Sequence, residues 1–244
     1  MIDLHTHILP GLDDGPKTMS ESADIVALLA DLGFDHIFLT PHFRQGFYEN
    51  PADLVLAAAD AFQEAVGGRF PSIRFTAAHE VHLGSVFDSH GRTQGFLRFG
   101  DERRLVLLEM PRQQFPFELL LHTIDRLFAE GICVVLAHPE KHPELAEHPE
   151  RYRELCERGV RLQVNLTSLS GFSGRQIRKT AEFLCSTGMV HGLGTDSHRF
   201  EEALRFVPKG LRRAHELLGE ERLNAIADGT ELQIGQAREI LTWS

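Results

Sequence analysis

The chain has 244 residues, 42% hydrophobic and 25% charged, the composition of an ordinary globular protein at a length that suits one large α/β domain or two small ones. A net charge of -10 argues against broad binding of a nucleic-acid backbone, which needs a basic face, so no nucleic-acid partner is expected. A small anionic substrate stays open, because bound divalent metals can dominate the local charge.

Taken in order, apolar strand-like runs alternate with helical periodicity. A strand at Ile2–His5 precedes a helix at Ser20–Leu32. Ser20, with Glu21 and Asp24 close behind, reads as its start, where acidic groups suit the dipole. A strand at His36–Thr40 leads to a helix at Ala52–Val66, and a third strand lies at Ile73–Ala77. The segment from His82 to Asp101 is irregular and rich in glycine, as a lid or an edge excursion would be. Then come strand Leu105–Glu109, helix Phe117–Glu130, strand Ile132–Ala137, helix Pro149–Arg158, strand Val160–Asn165 and helix Gly174–Thr187. Strand Val190–Gly194 and helices Glu201–Leu218 and Glu220–Ala227 complete the pattern. Gly33, Gly131, Gly159 and Gly188 each fall between a helix and a strand, at C-cap positions that favour positive φ. In the last stretch, Leu232, Ile234, Ile240 and Leu241 alternate with polar residues, which suggests partial burial.

Repeated strand–helix units call for a parallel sheet. Seven of them without interruption suggest a single-domain barrel over residues 1–244. An open doubly wound sheet has the same local pattern, and periodicity does not separate the two. Cys133, Cys156 and Cys185 have no short spacing, so they read as reduced, mostly buried thiols of a cytoplasmic protein. No signal peptide or membrane-length apolar run is visible.

The residues that end the strands carry the chemical signal. His5 and His7 lie two apart and share one face of a strand. Later strands end at His42, at Glu80, at Glu109, at His138, and at Asp196 with His198. Only the strand ending near Asn165 brings neither histidine nor carboxylate. In parallel α/β architectures these C-terminal ends share one mouth, where active sites sit. Asp13 and Asp14 follow the first strand in a turn, and Asp14 is the preferred additional ligand. His82 is a weaker candidate, since Glu109 fills the same place. Imidazole and carboxylate without thiolate suit Mn, Fe or Zn. The set exceeds the needs of one ion and serves two or three, which points to metal-assisted hydrolysis. Neither a Cys-x5-Arg phosphatase motif nor a Gly-x-Ser-x-Gly elbow is present. The turn Ser170-Gly171-Phe172-Ser173-Gly174 is followed by no Walker pattern and reads as a loop into a helix.

The order His5-x-His7, Asp14, His42, Glu80, Glu109, His138, Asp196-x-His198 resembles the PHP (polymerase and histidinol phosphatase) superfamily. The contexts Pro10-Gly11-Leu12-Asp13-Asp14-Gly15, Thr40-Pro41-His42, Leu107-Leu108-Glu109, Ala137-His138-Pro139-Glu140 and Leu162-Gln163-Val164-Asn165 look like those of the bacterial capsule and exopolysaccharide tyrosine phosphatases, the CpsB/YwqE group. The resemblance implies a distorted seven-stranded (β/α)7 TIM-like barrel with two or three Mn2+ ions. It implies hydrolysis of phosphotyrosine in protein by attack of a metal-bridging hydroxide, and as partner the tail of a bacterial tyrosine kinase regulating capsule or exopolysaccharide synthesis. It would give one metal to His5, His7, Glu80 and Asp196, a second to Glu80, Glu109 and His138, and a third to Asp14, His42 and His198.

One departure matters. Where the group usually has a phosphate-binding arginine after His-Pro-Glu, this chain has Lys141, which keeps the charge and loses the bidentate fork. Arg199 and Arg44 are further candidates for phosphate contact. No membrane insertion is expected, and a homo-oligomer is compatible with the reading. The alternatives are a small-molecule phosphatase of the histidinol-phosphate type, a phosphodiesterase, or a catalytically weak metal-stabilised binding module.

Overall fold

In the computed structural model, residues 1–112 and 115–232 are described, and among them the strands are β1 (Ile2–Thr6), β2 (His36–Leu39), β3 (His42–Phe43), β4 (Arg74–Ala77), β5 (Glu80–His82), β6 (Leu105–Glu109), β7 (Cys133–Ala137), β8 (Arg161–Asn165) and β9 (Gly192–Gly194). They form two parallel sheets, β1-β2-β4 and β3-β5-β6-β7-β8-β9. The helices are α1 (Met19–Asp31), α2 (Ala52–Val66), α3 (Phe117–Ala129), α4 (Pro143–Glu147), α5 (Glu150–Glu157), α6 (Leu166–Leu169), α7 (Arg175–Ser186) and α8 (Phe200–Ala227).

The expected parallel α/β class is observed, but neither sheet closes on itself as a seven-stranded barrel would. The second and third expected strands each break in two. Pro41, which has no N–H for a ladder, separates β2 from β3. The chain steps likewise from β4 to β5, and β3 pairs with β5 in register His42↔Glu80. Both chain segments thus leave the small sheet and enter the large one at the same level. A single parallel bridge, Thr6↔Ser197, joins the end of β1 to the segment after β9, with Asp196 N–H donating to the His5 carbonyl at 2.8 Å.

Both faces of β6 are buried, which explains its continuous apolar run. Val106, Leu108, Val134, Leu136, Leu162 and Val164 pack into the large cluster with the helices. The alternate residues Leu105, Leu107, Val135 and Ala137 join Ile2, Leu4 and Phe38 in a smaller one. Mouth and core are therefore built from the same strands.

Local details sharpen several expectations. Helix α1 is capped by Thr18, not Ser20. The Thr18 hydroxyl accepts from Glu21 N–H, and the Glu21 carboxylate accepts from Thr18 N–H. All four expected C-cap glycines have positive φ. The two expected C-terminal helices are one element, α8, interrupted at Gly219 with φ 72°. The 82–101 segment, expected as a lid or an edge excursion, connects β5 to β6, neighbours inside the six-stranded sheet. It pairs Phe99 with Leu105 and buries Phe96 and Phe99. Of the three free cysteines only Cys185 is buried, and Cys133 is exposed. Leu232 is buried, while positions 233–244, and with them Ile234, Ile240 and Leu241, lie outside the described residues. Among the described residues no helix is long and apolar enough to cross a membrane.

Candidate metal centre

All nine residues expected as ligands meet at the C-terminal mouth of the strands. Their donor atoms fall into four overlapping groups: His7, Asp14, His42 and His198; His5, Glu80 and His138; His5, His7 and Asp196; His42, Glu80 and Glu109. Glu80, at the start of β5, is the hub. One of its oxygens lies 2.9 Å from His138 Nε2. The other lies 2.8 Å from His42 Nδ1 and 3.3 Å from Nε2 of both His5 and His7. Asp196 Oδ1 approaches His7 Nε2 at 3.4 Å, and Asp14 Oδ1 approaches His198 Nε2 at 3.3 Å. The grouping differs from the set implied by resemblance. Glu109 sits with His42 and Glu80, His138 with His5 and Glu80, and His7 joins Asp14, His42 and His198 as well as His5 and Asp196.

The adjoining polar residues fix which imidazole nitrogen is free. His7 Nδ1 donates to Asp13 Oδ2 at 2.7 Å, His5 Nδ1 to Gln163 Oε1 at 3.0 Å, and His198 Nδ1 to the Asp196 carbonyl at 2.9 Å. Each leaves Nε2 turned to the cluster, the arrangement that orients a ligating histidine. Asp13 also accepts from the N–H groups of Gly15 and His42. Of the two turn aspartates, Asp13 is thus the one that positions and Asp14 the one whose oxygen joins the donors. Asn165, at the strand end that seemed empty, donates to Asp196 Oδ2 at 2.7 Å and accepts from Gln163. An amide carries no ligand signature, so in the sequence Asn165 stands out only within the run Leu162-Gln163-Val164-Asn165, with no role attached to it. The local spacing Gln163-x-Asn165 was the only available hint.

Two cluster members, His138 (φ 33°) and Asp196 (φ 54°), hold left-handed backbone that non-glycine residues adopt at a cost. Each immediately follows or nearly follows a strand end, where the turn aims the side chain back across the mouth.

The electrostatics are those of tightly packed opposite charges. Burial lowers the pKa of His5 and His42, but the surrounding acceptors together outweigh it, Glu80 with Asp196 and Gln163 at His5 and Glu80 with Glu109 and Asp13 at His42, and hold both at about 9. His198 also stands at about 9, through Asp14 and Asp196 working against burial. Burial raises Glu80 and Asp196, yet the surrounding cations hold both well below the usual carboxylate range. Glu109 is pushed up to about 7 by burial and by Glu80. Glu80 Oε2, Glu109 Oε2 and His42 Nδ1 are buried without a well-directed hydrogen bond; the short His42–Glu80 contact is poorly aligned. Buried polar atoms are rarely left so. Oxygen and imidazole donors orphaned around one point fit divalent cations.

The expected phosphate-binding cations diverge. Lys141 reaches Asp196 Oδ2 at 2.7 Å and lies at the centre. Arg199 is 69% exposed and pairs with Glu202. Arg44 stacks on Phe47, 4.2 Å from the ring centroid. Neither arginine makes a hydrogen bond or ion pair with the cluster. Arg112, which was not anticipated, lies close enough to lower the Glu109 pKa against burial. His82 caps Gly84 N–H through Nδ1 and stands outside the donor groups.

A profile of the family described as capsular polysaccharide synthesis, CpsB/CapC, matches residues 1–229. The chain belongs to the CpsB/CapC family. It is 26% identical over 202 residues to the tyrosine-protein phosphatase YwqE of Bacillus subtilis, covering 81% of this chain and 77% of that one. It is 26% identical over 235 residues to the tyrosine-protein phosphatase CpsB of Streptococcus pneumoniae, covering 89% of each. Among solved structures, one from the set of YwqE and CpsB, described as metal-dependent tyrosine phosphatases, superposes with a TM-score of 0.83 at 24% identity, covering 96% of this chain and 94% of that one. The parallel α/β arrangement described above is accordingly the fold of this CpsB/CapC member and of its structural neighbour.

Proposed function

We propose that the chain is a metal-dependent phosphatase that hydrolyses the phosphate ester of phosphotyrosine in a protein. The observation that carries the reading is the convergence of nine imidazole and carboxylate side chains on Glu80, with buried donor atoms left unpaired. The names of the relatives agree with it. His5, His7 and Asp196, then His5, Glu80 and His138, then His42, Glu80 and Glu109, and at the outer edge Asp14 with His198, are the residues that would hold two or three ions, with Mn2+ the favoured metal. Such ions supply hydroxide near neutral pH and neutralise charge on phosphoryl oxygens.

The protein's own groups would do the rest. Lys141, held by Asp196, presents a cation to the phosphate, and Asp196 is in turn held by Asn165. Asp13 and Gln163 keep the His7 and His5 rings in position. Every histidine of the cluster is engaged there, so no uncommitted imidazole is left as general acid. A phenolate leaves more easily than an alkoxide, since the phenol pKa is about 10, and the site therefore suits a phenolic ester. The natural partner in this reading is the tyrosine-rich tail of a bacterial tyrosine kinase, met in the cytoplasm. The two sheets are then an opened form of a seven-unit barrel, folded as one domain.

The deciding experiment strips the protein of metal, reloads it with Mn2+, and follows phosphate release from a phosphotyrosine peptide and from histidinol phosphate, with His138→Ala as control. Peptide turnover abolished in the control supports the proposal. Turnover of histidinol phosphate alone would keep the metal core and replace the substrate.

A further inference from the structure

Beside the cluster lies a cavity of about 360 Å3, within the range of sites that enclose a small organic group. His138, Lys141, Met110, Arg112, Phe172 and Ile177 are among the residues that line it. His138 and Lys141 join the cavity to the metal centre, and Met110, Phe172 and Ile177 give it an apolar lining. In a chain of net charge -10, two cations on one small cavity mark it for an anionic group.

Phe172 is 45% exposed, an arrangement that an ordinary core residue does not adopt, yet it is held firmly. Its N–H donates to the Thr167 carbonyl at 3.2 Å, and the loop closes with Gly174 N–H on the Gly171 carbonyl at 3.1 Å. Gly171 and Gly174, at φ 87° and 100°, supply left-handed backbone on both sides of it. The Phe206 ring on α8 braces it, with centroids 4.7 Å apart. A loop built this way presents an aromatic face at fixed geometry, which lowers the ordering cost of binding.

We propose that this cavity is the leaving-group pocket: it takes the phenyl ring of phosphotyrosine between Phe172 and Met110, with the phosphate directed inward to Lys141 and Arg112. Ring-on-ring contact with Phe172 and apolar contact with Ile177 then favour aryl over alkyl phosphate esters. This assignment rests on the phosphatase reading and names its substrate selectivity.

The test compares wild-type, Phe172→Ala, Phe172→Trp and Ile177→Ala proteins, each loaded with Mn2+, on a phosphotyrosine peptide and the matching phosphoserine peptide. In parallel, calorimetry measures binding of a peptide carrying the non-hydrolysable phosphonomethyl-phenylalanine. Phe172→Ala is expected to lower the aryl-over-alkyl ratio of kcat/KM about tenfold, mainly through KM, and to weaken phosphonate binding by a similar factor. Phe172→Trp should restore both, and Ile177→Ala should show a smaller loss in the same direction. An unchanged ratio and unchanged phosphonate binding in both alanine variants would overturn the pocket while wild-type turnover left the phosphatase standing. A wild-type protein that hydrolysed neither peptide would overturn the phosphatase reading, and phosphonate binding that still depended on Phe172 would keep the pocket.

Discussion

At the residue scale, Asp13 and Lys141 separate two ways of serving the same cluster. Asp13 touches no donor group directly except through the His7 ring and the loop N–H groups it accepts from. Asp13→Ala should therefore weaken metal binding about 10–100-fold, the usual cost of losing an orienting partner, with calorimetric titration of Mn2+ into stripped protein as the measurement. Lys141 is expected to act on substrate. Lys141→Ala removes a charge-assisted contact of about 1.5–3 kcal/mol, so kcat/KM on a phosphotyrosine peptide should fall at least about tenfold. Lys141→Arg should retain most activity, because the fork still reaches an anion. The nine donor-bearing residues were legible in the sequence because histidine and carboxylate at successive strand ends are uncommon outside a site. The roles of Asn165, Gln163 and Arg112 were not, since an amide or a lone arginine looks the same in sequence wherever the fold puts it. Arg199 and Arg44 show the limit of such reasoning: proximity in sequence to His198 and His42 says nothing about which way a long side chain turns, and here they turn to Glu202 and Phe47.

At the element scale, the pairing of α6 with α8 and of β2 with β4 sets where the strand ends lie. A Cβ on Gly210 in α8 would stand 1.9 Å from the Leu166 carbonyl oxygen of α6. Gly210→Ala, which would favour an isolated helix, should here destabilise the fold by about 1–3 kcal/mol through overpacking, and urea unfolding would show it. Because α6 directly follows Asn165, activity should fall with stability. On the other sheet, His36 accepts from Arg74 and donates to Thr76, tying β2 to β4 as a neutral ring. Burial and then Arg74 hold its pKa near 3, below the ordinary value of about 6.5. Its contribution to stability is complete above pH 6.5 and is lost as pH falls toward 3, since only the unfolded chain takes up the proton. Between pH 7 and 5 the loss from this one group is about 2 kcal/mol at most, and His36→Gln should flatten that part of the stability profile in denaturant titrations. The strand–helix alternation was legible because strands buried on both faces and amphipathic helices differ in period. The breaks after β2 and β4 were not, because a local pattern reports that a run is extended and is silent on which neighbour it pairs with. Pro41 was visible, but a proline at a strand end reads equally as a simple stop.

At the scale of the whole molecule, two open sheets enclose a mouth in which charge is balanced by protons when no cation is bound. Joining the ends of β1 and β9 at Thr6↔Ser197 brings His5, His7, Asp196 and His198 from opposite ends of the chain into contact, so site and fold are one cooperative assembly. His5, His42 and His198, each at about 9, are protonated at neutral pH because Glu80, Asp196 and Asp14 face them. Imidazole binds a metal only when neutral, so loading at pH 7 has to release these protons. Glu109, at about 7, gives up a fraction of one more. Removing metal should therefore leave a folded but less stable protein, since binding to the native state alone adds RT ln(1 + [L]/Kd). Thermal unfolding of stripped and Mn2+-loaded protein should show a higher midpoint for the loaded form, rising with metal concentration. Titrating Mn2+ in buffers of different ionisation enthalpy should report about three to four protons released per protein at pH 7 once every ligand is engaged, and metal affinity should rise with pH up to about 9. Zero proton release at pH 7 would mean that the imidazoles are already neutral, and would contradict the charge balance drawn from the Glu80 hub.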